Sequence, residues 1–344
     1  MSEVRWPEVL TRLLRGDDLE ESLAADVMTA MMAGEAEPSQ VAGLLVALRA
    51  KGEGSGEIAG FVRAMLAAAE RIDLDVALVD TCGTGGDGAG TFNISTVAAL
   101  VIAAAGQPVA KHGNRAASGT CGSADLLEAF GVVIDLPPEA VAATVTELGI
   151  GFLYARSFHP AMRHVAPVRQ HLGIRTVFNV LGPLSNPAGA QYQVVGVAEH
   201  RMAGVMAEAL RRLGKRHVLV FRGEDGLDEL TTTGVNDVWE VRDDRVEQWR
   251  LDPTELGIAR ASLDDLRGGG VATNVAIAEG VLSGREGPHA DIVALNAAAG
   301  LYAADQVPSL NDGLDRAREA LASGAALRLR DAWVARSREL GGRR

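Results

Sequence analysis

The sequence predicts an α/β protein in two parts, a small N-terminal helical bundle and a larger unit built on a mostly parallel sheet flanked by helices. Three observations predict it. The first seventy or so residues carry helical apolar spacing throughout. From Val76 onward, short apolar strands alternate with amphipathic helices. Between one such strand and the helix after it lies a loop with four glycines, Gly83, Gly85, Gly86 and Gly88.

In the bundle, apolar positions recur at Leu23, Val27, Met31 and Met32, at Val41, Leu44, Leu45 and Leu48, and at Ile58, Phe61, Val62 and Met65. Breaks are expected at 34–38 and 52–56, where Gly and Pro interrupt the pattern. Strands are then expected over Val76–Val79, Val109–Lys111, Val132–Ile134, Gly151–Tyr154, Val194–Val197 and His217–Phe221. Helices are expected over Val97–Ala105, Gly122–Phe130, Pro138–Leu148 and Arg201–Leu213, with Asn93, Ser95 and Thr96 read as cap-type residues ahead of the first. Val238–Val241 and Val246–Leu251, on either side of Arg242–Arg245, read as a hairpin. The helical stretch from Ala161 to Leu172 and the segment through Leu184–Pro187 interrupt the alternation. They are expected to pack back on the bundle. The domains are therefore 1–74, completed by about 167–188, and 75–344.

Strand, glycine loop and helix in succession point backbone N–H groups and a helix N-terminus at an anion. The loop satisfies Gly-x-Gly-x-x-Gly at Gly83, Gly85 and Gly88, so a dinucleotide site has to be weighed. The acidic residue such a site needs at the end of the next strand is missing; Lys111 and His112 stand there instead. A loop closed by hydroxyls suits a metal-bound diphosphate better. The residues alone leave open a phosphosugar or nucleotide site and a purely structural glycine turn.

The net charge of −12 argues against a nucleic-acid partner. Basic residues nevertheless cluster at Lys111, Arg115, Arg156, Arg163, Arg169 and Arg175, and one basic cleft in an acidic protein can focus an anionic substrate. The charged start of the chain, and an apolar run at 97–106 too short to span a bilayer, lead to the expectation of a cytoplasmic protein without a membrane partner. Cys82 and Cys121 are the only cysteines and read as reduced thiols packed in tight loops.

Taken together, these segments resemble the anthranilate phosphoribosyltransferases, enzymes of tryptophan biosynthesis. The similarity runs through Met32–Glu35, the 83–88 loop with Asn93–Thr96, and Lys111–Arg115. It continues through His159–Arg163, Gly182–Pro187 and Asp225–Leu230. The resemblance implies a nucleoside phosphorylase/phosphoribosyltransferase-like fold, a homodimer through the helical domain, and an active site between the two domains. It implies transfer of the 5-phosphoribosyl group from phosphoribosyl pyrophosphate to the amino nitrogen of anthranilate, with Mg²⁺. Residue by residue, phosphoribosyl pyrophosphate would be held by Gly83, Gly86, Asp87, Thr91, Asn93, Ile94, Ser95 and Thr96. The segment Lys111, His112, Gly113, Asn114, Arg115, Ala116, Ala117, Ser118 and Gly119, together with Ser123, would complete its site. Anthranilate would meet Gly83, Asn114 and Arg169. Mg²⁺ would be held by Ser95, Asp228 and Glu229. Without the resemblance, the acidic pair reads as a solvated turn and Arg169 as a surface salt bridge. No catalytic acid or base is assigned; His112 is the one candidate, and it either lines the acceptor pocket or only holds its loop.

Two positions depart from the family pattern. Gly119 stands where a serine is common, and Phe221-Arg222-Gly223 stands where valine, histidine and glycine are expected. The rival classes are a pyrimidine nucleoside phosphorylase and a non-catalytic nucleic-acid-binding paralogue. The first would carry a glycine at Asn114 and lack the 182–187 pattern. The second would be basic and would have lost Arg169.

Overall fold

A computed structural model describes residues 4–116 and 120–342. Its first four helices are α1 (Trp6–Leu14), α2 (Glu21–Ala33), α3 (Pro38–Lys51) and α4 (Ser55–Ala67). Chain punctuation sets their ends. Pro38 opens α3 where its missing N–H costs nothing, and Glu37 and Gln40 cap each other's backbone there. Glu57 is fully buried and ties three pieces together. It accepts hydrogen bonds from Leu19 N (2.9 Å), Gly54 N (2.7 Å) and Lys51 Nζ (3.0 Å), so its charge is met on every side.

The sheet follows, with its helices in chain order: β1 (Val79–Gly83), α5 (Ile94–Ala104), β2 (Val109–Gly113), α6 (Ser123–Phe130), α7 (Pro138–Leu148) and β3 (Ile150–Tyr154). The chain then leaves the sheet through α8 (Ala155–Phe158), a 3₁₀ turn at Pro160–His164, α9 (Ala166–Leu172) and α10 (Phe178–Leu184). It returns as β4 (Tyr192–Gly196), α11 (His200–Arg212), β5 (His217–Gly223), β6 (Asn236–Arg242) and β7 (Arg245–Leu251). Four helices close the fold: α12 (Val271–Leu282), α13 (Pro288–Ala303), α14 (Leu310–Ala322) and α15 (Ala325–Gly341). The sheet order is β3-β2-β1-β4-β5-β6-β7, parallel from β3 to β5 and antiparallel for the last two.

Strand alternation sorts the core. On β5, Leu219 and Phe221 enter a cluster with α5, α13 and α14, while Val218 and Val220 enter one with α11 and the N-terminal helices. Val165, Val168, Phe178, Leu181 and Leu184, from the excursion between β3 and β4, join that second cluster. None of the described helices is long and apolar enough to cross a membrane.

The structure moves three sequence expectations. The first strand begins at Val79 rather than ending there, because Asp80 and Thr81 are polar but buried and internally bonded; Val76 is 46% exposed. Val132–Ile134 forms no strand. Val132 and Ile134 are buried, and Val133 N bonds Ser337 Oγ at 3.1 Å, so the segment is satisfied without a ladder. Helix α5 starts at Ile94, which puts Ser95 and Thr96 inside its first turn rather than ahead of it. The hairpin forms as expected, turned by Asp243 and Asp244 at φ 50° and 58°.

Where the excursion meets the sheet, two histidine rings lie 5.1 Å apart. His159 Nε2 bonds Ser185 O at 3.0 Å, and His112 Nδ1 bonds Gly182 O at 3.2 Å. Burial first, and the neighbouring His112 second, hold His159 down at about 3. The unfolded chain, at about 6.5, takes up this proton first, so stability is full above pH ~6.5 and declines as pH falls toward the folded value. Between pH 7.5 and 5.5 the His159→Gln variant should lose about 1 kcal/mol less stability than the parent. Urea denaturation at the two pH values reads this; equal losses would remove His159 as the source.

Candidate active site

The sheet has one topological switch. The chain steps from β1 outward through β2 to β3, then returns to the other side of β1 as β4, which opens a crevice at the carboxyl ends of β1 and β4. Gly83 and Gly196 are the register partners that end those strands. A Cβ on Gly83 would lie 2.4 Å from Asp228 Oδ2, and one on Gly196 would lie 1.6 Å from Asp228 O. The acidic turn therefore rests directly on two bare strand ends. Leu227 and Leu230, both buried, anchor that turn, and Asn296 of α13 brackets Leu230 through its N–H (3.0 Å) and C=O (2.9 Å).

Held this way, Asp228 Oδ2 accepts from Gly85 N at 2.6 Å and Glu229 Oε1 accepts from Ser95 N at 3.1 Å. Asp87 faces Asp228 from the glycine loop. Desolvation raises both carboxylates first. The charge of Asp87 raises Asp228 further, and that of Asp228 does the same to Glu229. Three carboxylates crowd one end of the crevice, and the charge of Lys111 offsets part of the shift at Glu229. Their chemistry fits Mg²⁺, a hard cation that takes one or two protein carboxylates and completes its shell with phosphate oxygens and water. Among the described residues, no three His, Cys, Asp or Glu side chains converge on a single point.

On the neighbouring strand, Lys111 is buried and donates to Thr81 O and to Ser95 Oγ (3.3 Å). Burial lowers its basicity, and Asp80 opposes that shift. Asp80 joins three segments. It accepts from His112 N (3.1 Å) and from Gln193 Nε2 (3.3 Å), and Gln193 Nε2 also reaches Pro183 O (2.5 Å). His112 donates through Nδ1 to Gly182, which leaves Nε2 as the acceptor nitrogen, buried and unpartnered. Desolvation holds this ring neutral, at about 4. Asn93 Oδ1 is likewise buried and unpartnered, while its Nδ2 donates to Cys121 O. The site thus has unmet hydrogen-bonding capacity, which a buried surface tolerates poorly unless a ligand fills it.

The remaining predicted residues divide. Gly86 lies on the loop at φ 81°, and Asp87 Oδ1 accepts from Ala89 N. Thr91 forms a bridge with Arg267, and Ile94 and Thr96 are buried in α5. Gly113 sits against Ser123, whose Oγ donates to Asn114 O, and Asn114 Oδ1 accepts from Arg115 N. Arg115 is turned to Asp125 (2.9 Å) and Glu128 (2.8 Å), while Asp125 also collects the N–H groups of Ala116 and Gly122. This arginine braces its loop. Ala117, Ser118 and Gly119 lie outside the described residues. Arg222, the second departure, donates to Ala198 O at 3.0 Å and to Gly223 O at 3.3 Å.

Arg169 stands apart. Its guanidinium stacks over Phe178 at 5.0 Å, half-buried and with no carboxylate partner among the described residues. Desolvation alone lowers its basicity. Phe178 and Gly182 both belong to α10, so this helix carries the contacts of both Arg169 and His112. Sequence reasoning assigned no site role to Gly196, Asn274, whose Oδ1 takes Asn93 N at 3.1 Å, or Arg175, whose Nη1 donates to Gly85 O at 2.9 Å. Only the basic cluster pointed to Arg175. Cys82 and Cys121 are unpaired, and burial raises both thiols; Cys82 lies on β1 rather than in a loop.

Comparison with known proteins agrees with this geometry. The description "Glycosyl transferase family, a/b domain" matches residues 75–327, and "Glycosyl transferase family, helical bundle domain" matches residues 7–69. The anthranilate phosphoribosyltransferase of Roseiflexus sp. (strain RS-1) is 54% identical over 320 residues, 92% of this chain and 94% of that protein. The crystal structure of the Thermus thermophilus anthranilate phosphoribosyltransferase superposes with a TM-score of 0.91 at 54% identity, covering 96% of this chain and 99% of that one. The Saccharomyces cerevisiae enzyme, solved in complex with phosphoribosyl pyrophosphate and Mg, gives a TM-score of 0.90 at 27% identity, covering 98% and 99%. With both halves of the fold matched and 54% of residues shared with full-length relatives, the chain belongs to the anthranilate phosphoribosyltransferases of the glycosyl transferase family.

Proposed function

We propose that this chain transfers the 5-phosphoribosyl group of phosphoribosyl pyrophosphate to the amino nitrogen of anthranilate, releasing pyrophosphate. One observation carries the acceptor assignment: Arg169, a half-buried guanidinium with an aromatic ring beneath it and no carboxylate partner among the described residues. Its planar fork matches the anthranilate carboxylate in bidentate fashion. Asn114 and Gly83 complete the acceptor side. The glycine loop with Asp87, Thr91, Asn93, Ser95 and Thr96, and the loop from Lys111 through Ser123, receive the phosphosugar. Ser95, Asp228 and Glu229 are the residues to hold Mg²⁺, which would neutralise the charge of the departing diphosphate.

The amine lone pair attacks the anomeric carbon as the C–O bond to pyrophosphate breaks and carries its electron pair away, with inversion. Backbone N–H groups of the glycine loop and the N-terminus of α5 stabilise the charge that builds on the leaving group. The neutral Nε2 of His112 accepts a hydrogen bond from the attacking amine and takes the proton that the new C–N bond releases. The bundle of 1–74, completed by about 167–188, covers the crevice of the 75–344 part and carries the dimer surface, where Leu14 and Val46 are 79% and 45% exposed. This reading carries with it a cytoplasmic enzyme, and none of the described helices is long and apolar enough to cross a membrane.

The direct test follows anthranilate fluorescence and pyrophosphate together. Fluorescence should fall, and pyrophosphate appear in equal amount, only with both substrates and Mg²⁺ present; silence in both signals rejects the activity. Arg169→Ala should raise the KM for anthranilate about 10- to 100-fold while leaving that for phosphoribosyl pyrophosphate within about twofold. Equal losses for both substrates in steady-state kinetics would reject the acceptor role. Replacing Asp228 with Asn and Glu229 with Gln should shift the Mg²⁺ dependence of phosphoribosyl pyrophosphate binding upward by about tenfold or more. An unchanged titration would dismiss the pair as metal ligands.

A further inference from the structure

Arg175 lies in the short connection between α9 and α10, on the far side of the glycine loop from the acidic turn. Gly85 is gripped from two directions. Its N–H donates to Asp228 Oδ2 at 2.6 Å, and its C=O accepts from Arg175 Nη1 at 2.9 Å. The guanidinium also reaches the next residue, Nη1 foremost. A Cβ on Gly86 would stand 1.6 Å from Nη1 and would push the guanidinium away, and the φ of 81° at Gly86 disfavours any side chain there. Arg175 is half-buried and has no ion-pair partner among the described residues. One of its five donors is spent on Gly85 O, and the others have no partner among the described residues.

Charge balance calls for such a group. Asp87, Asp228 and Glu229 face the end of the crevice that receives the diphosphate, and Lys111 is already bonded to Thr81 and Ser95. A metal ion shared between two carboxylates and a diphosphate leaves net negative charge, and a fixed guanidinium beside the loop offsets it. Building on the phosphoribosyltransferase reading, we propose that Arg175 is a diphosphate-binding residue. It pins the Gly85 carbonyl with Nη1 and donates its remaining N–H groups to the terminal phosphate of phosphoribosyl pyrophosphate.

The test is titration calorimetry of the full chain in Mg²⁺ with three probes: phosphoribosyl pyrophosphate, pyrophosphate and ribose 5-phosphate. Arg175→Ala should weaken the first two tenfold or more and leave ribose 5-phosphate within twofold, with an unchanged melting temperature. Arg175→Gln, which keeps a donor for Gly85 O and removes the charge, should behave like the alanine variant. Parental affinity for pyrophosphate in either variant overturns the proposal, and in Arg175→Gln it would reduce the residue to a loop pin. Equal weakening of all three probes would also overturn it, as the mark of a general loss of loop structure. An unmutated chain that binds neither phosphoribosyl pyrophosphate nor pyrophosphate would bring down the phosphoribosyltransferase reading itself.

Discussion

The site depends on the absence of two side chains. Gly83 and Gly196 end adjacent parallel strands at the switch point of the sheet; the Asp228 carboxylate lies where a Cβ on Gly83 would be, and the Asp228 backbone where one on Gly196 would be. A larger residue at Gly196 would press on the Asp228 backbone, and one at Gly83 on its carboxylate. Asp228 would then lose its bond to Gly85, and Glu229 its bond to the first turn of α5. Loop, helix N-terminus and carboxylates are one assembly because these two positions are bare.

Around that contact, the polar residues divide their work between holding and receiving. Asp80, Gln193 and Asn186 are buried beneath the loops and spend their hydrogen bonds on backbone and, between Asp80 and Gln193, on each other, tying β1, β2 and the end of α10 together. Asp125 and Glu128 do the same for Arg115. What remains unspent is informative: His112 Nε2, Asn93 Oδ1 and the guanidinium of Arg169. Folding has desolvated these groups without giving them hydrogen-bond partners among the described residues, a cost that a well-matched ligand recovers on binding.

Much of the fold was legible from local pattern. Helix breaks fell at glycine and proline, and the parallel strands followed their β-branched runs. The hairpin announced itself through alternation around two aspartates. The errors share a cause. Asp80 and Thr81 belong to a strand because distant groups satisfy them, and Val132–Ile134 escapes being one because Ser337, about two hundred residues away, takes its N–H. The site divides in the same way. Glycine spacing and Lys111-His112-Gly113 advertise anion binding locally. The acidic pair and Arg169 acquired meaning only through family resemblance. Nothing near residue 196 or 175 in the sequence says that it will meet residue 228 or 85.

The excursion between β3 and β4 also bears on how the protein is made. The N-terminal helices end at Ala67, yet their core includes Val165, Val168, Phe178, Leu181 and Leu184. On the ribosome, more than a hundred residues separate the completion of α4 from the arrival of α10. At about 5–20 residues per second, the nascent bundle waits on the order of ten seconds with part of its apolar surface uncovered. Synthesis thus holds the α1–α4 part of the chain incomplete until the excursion that completes its core emerges.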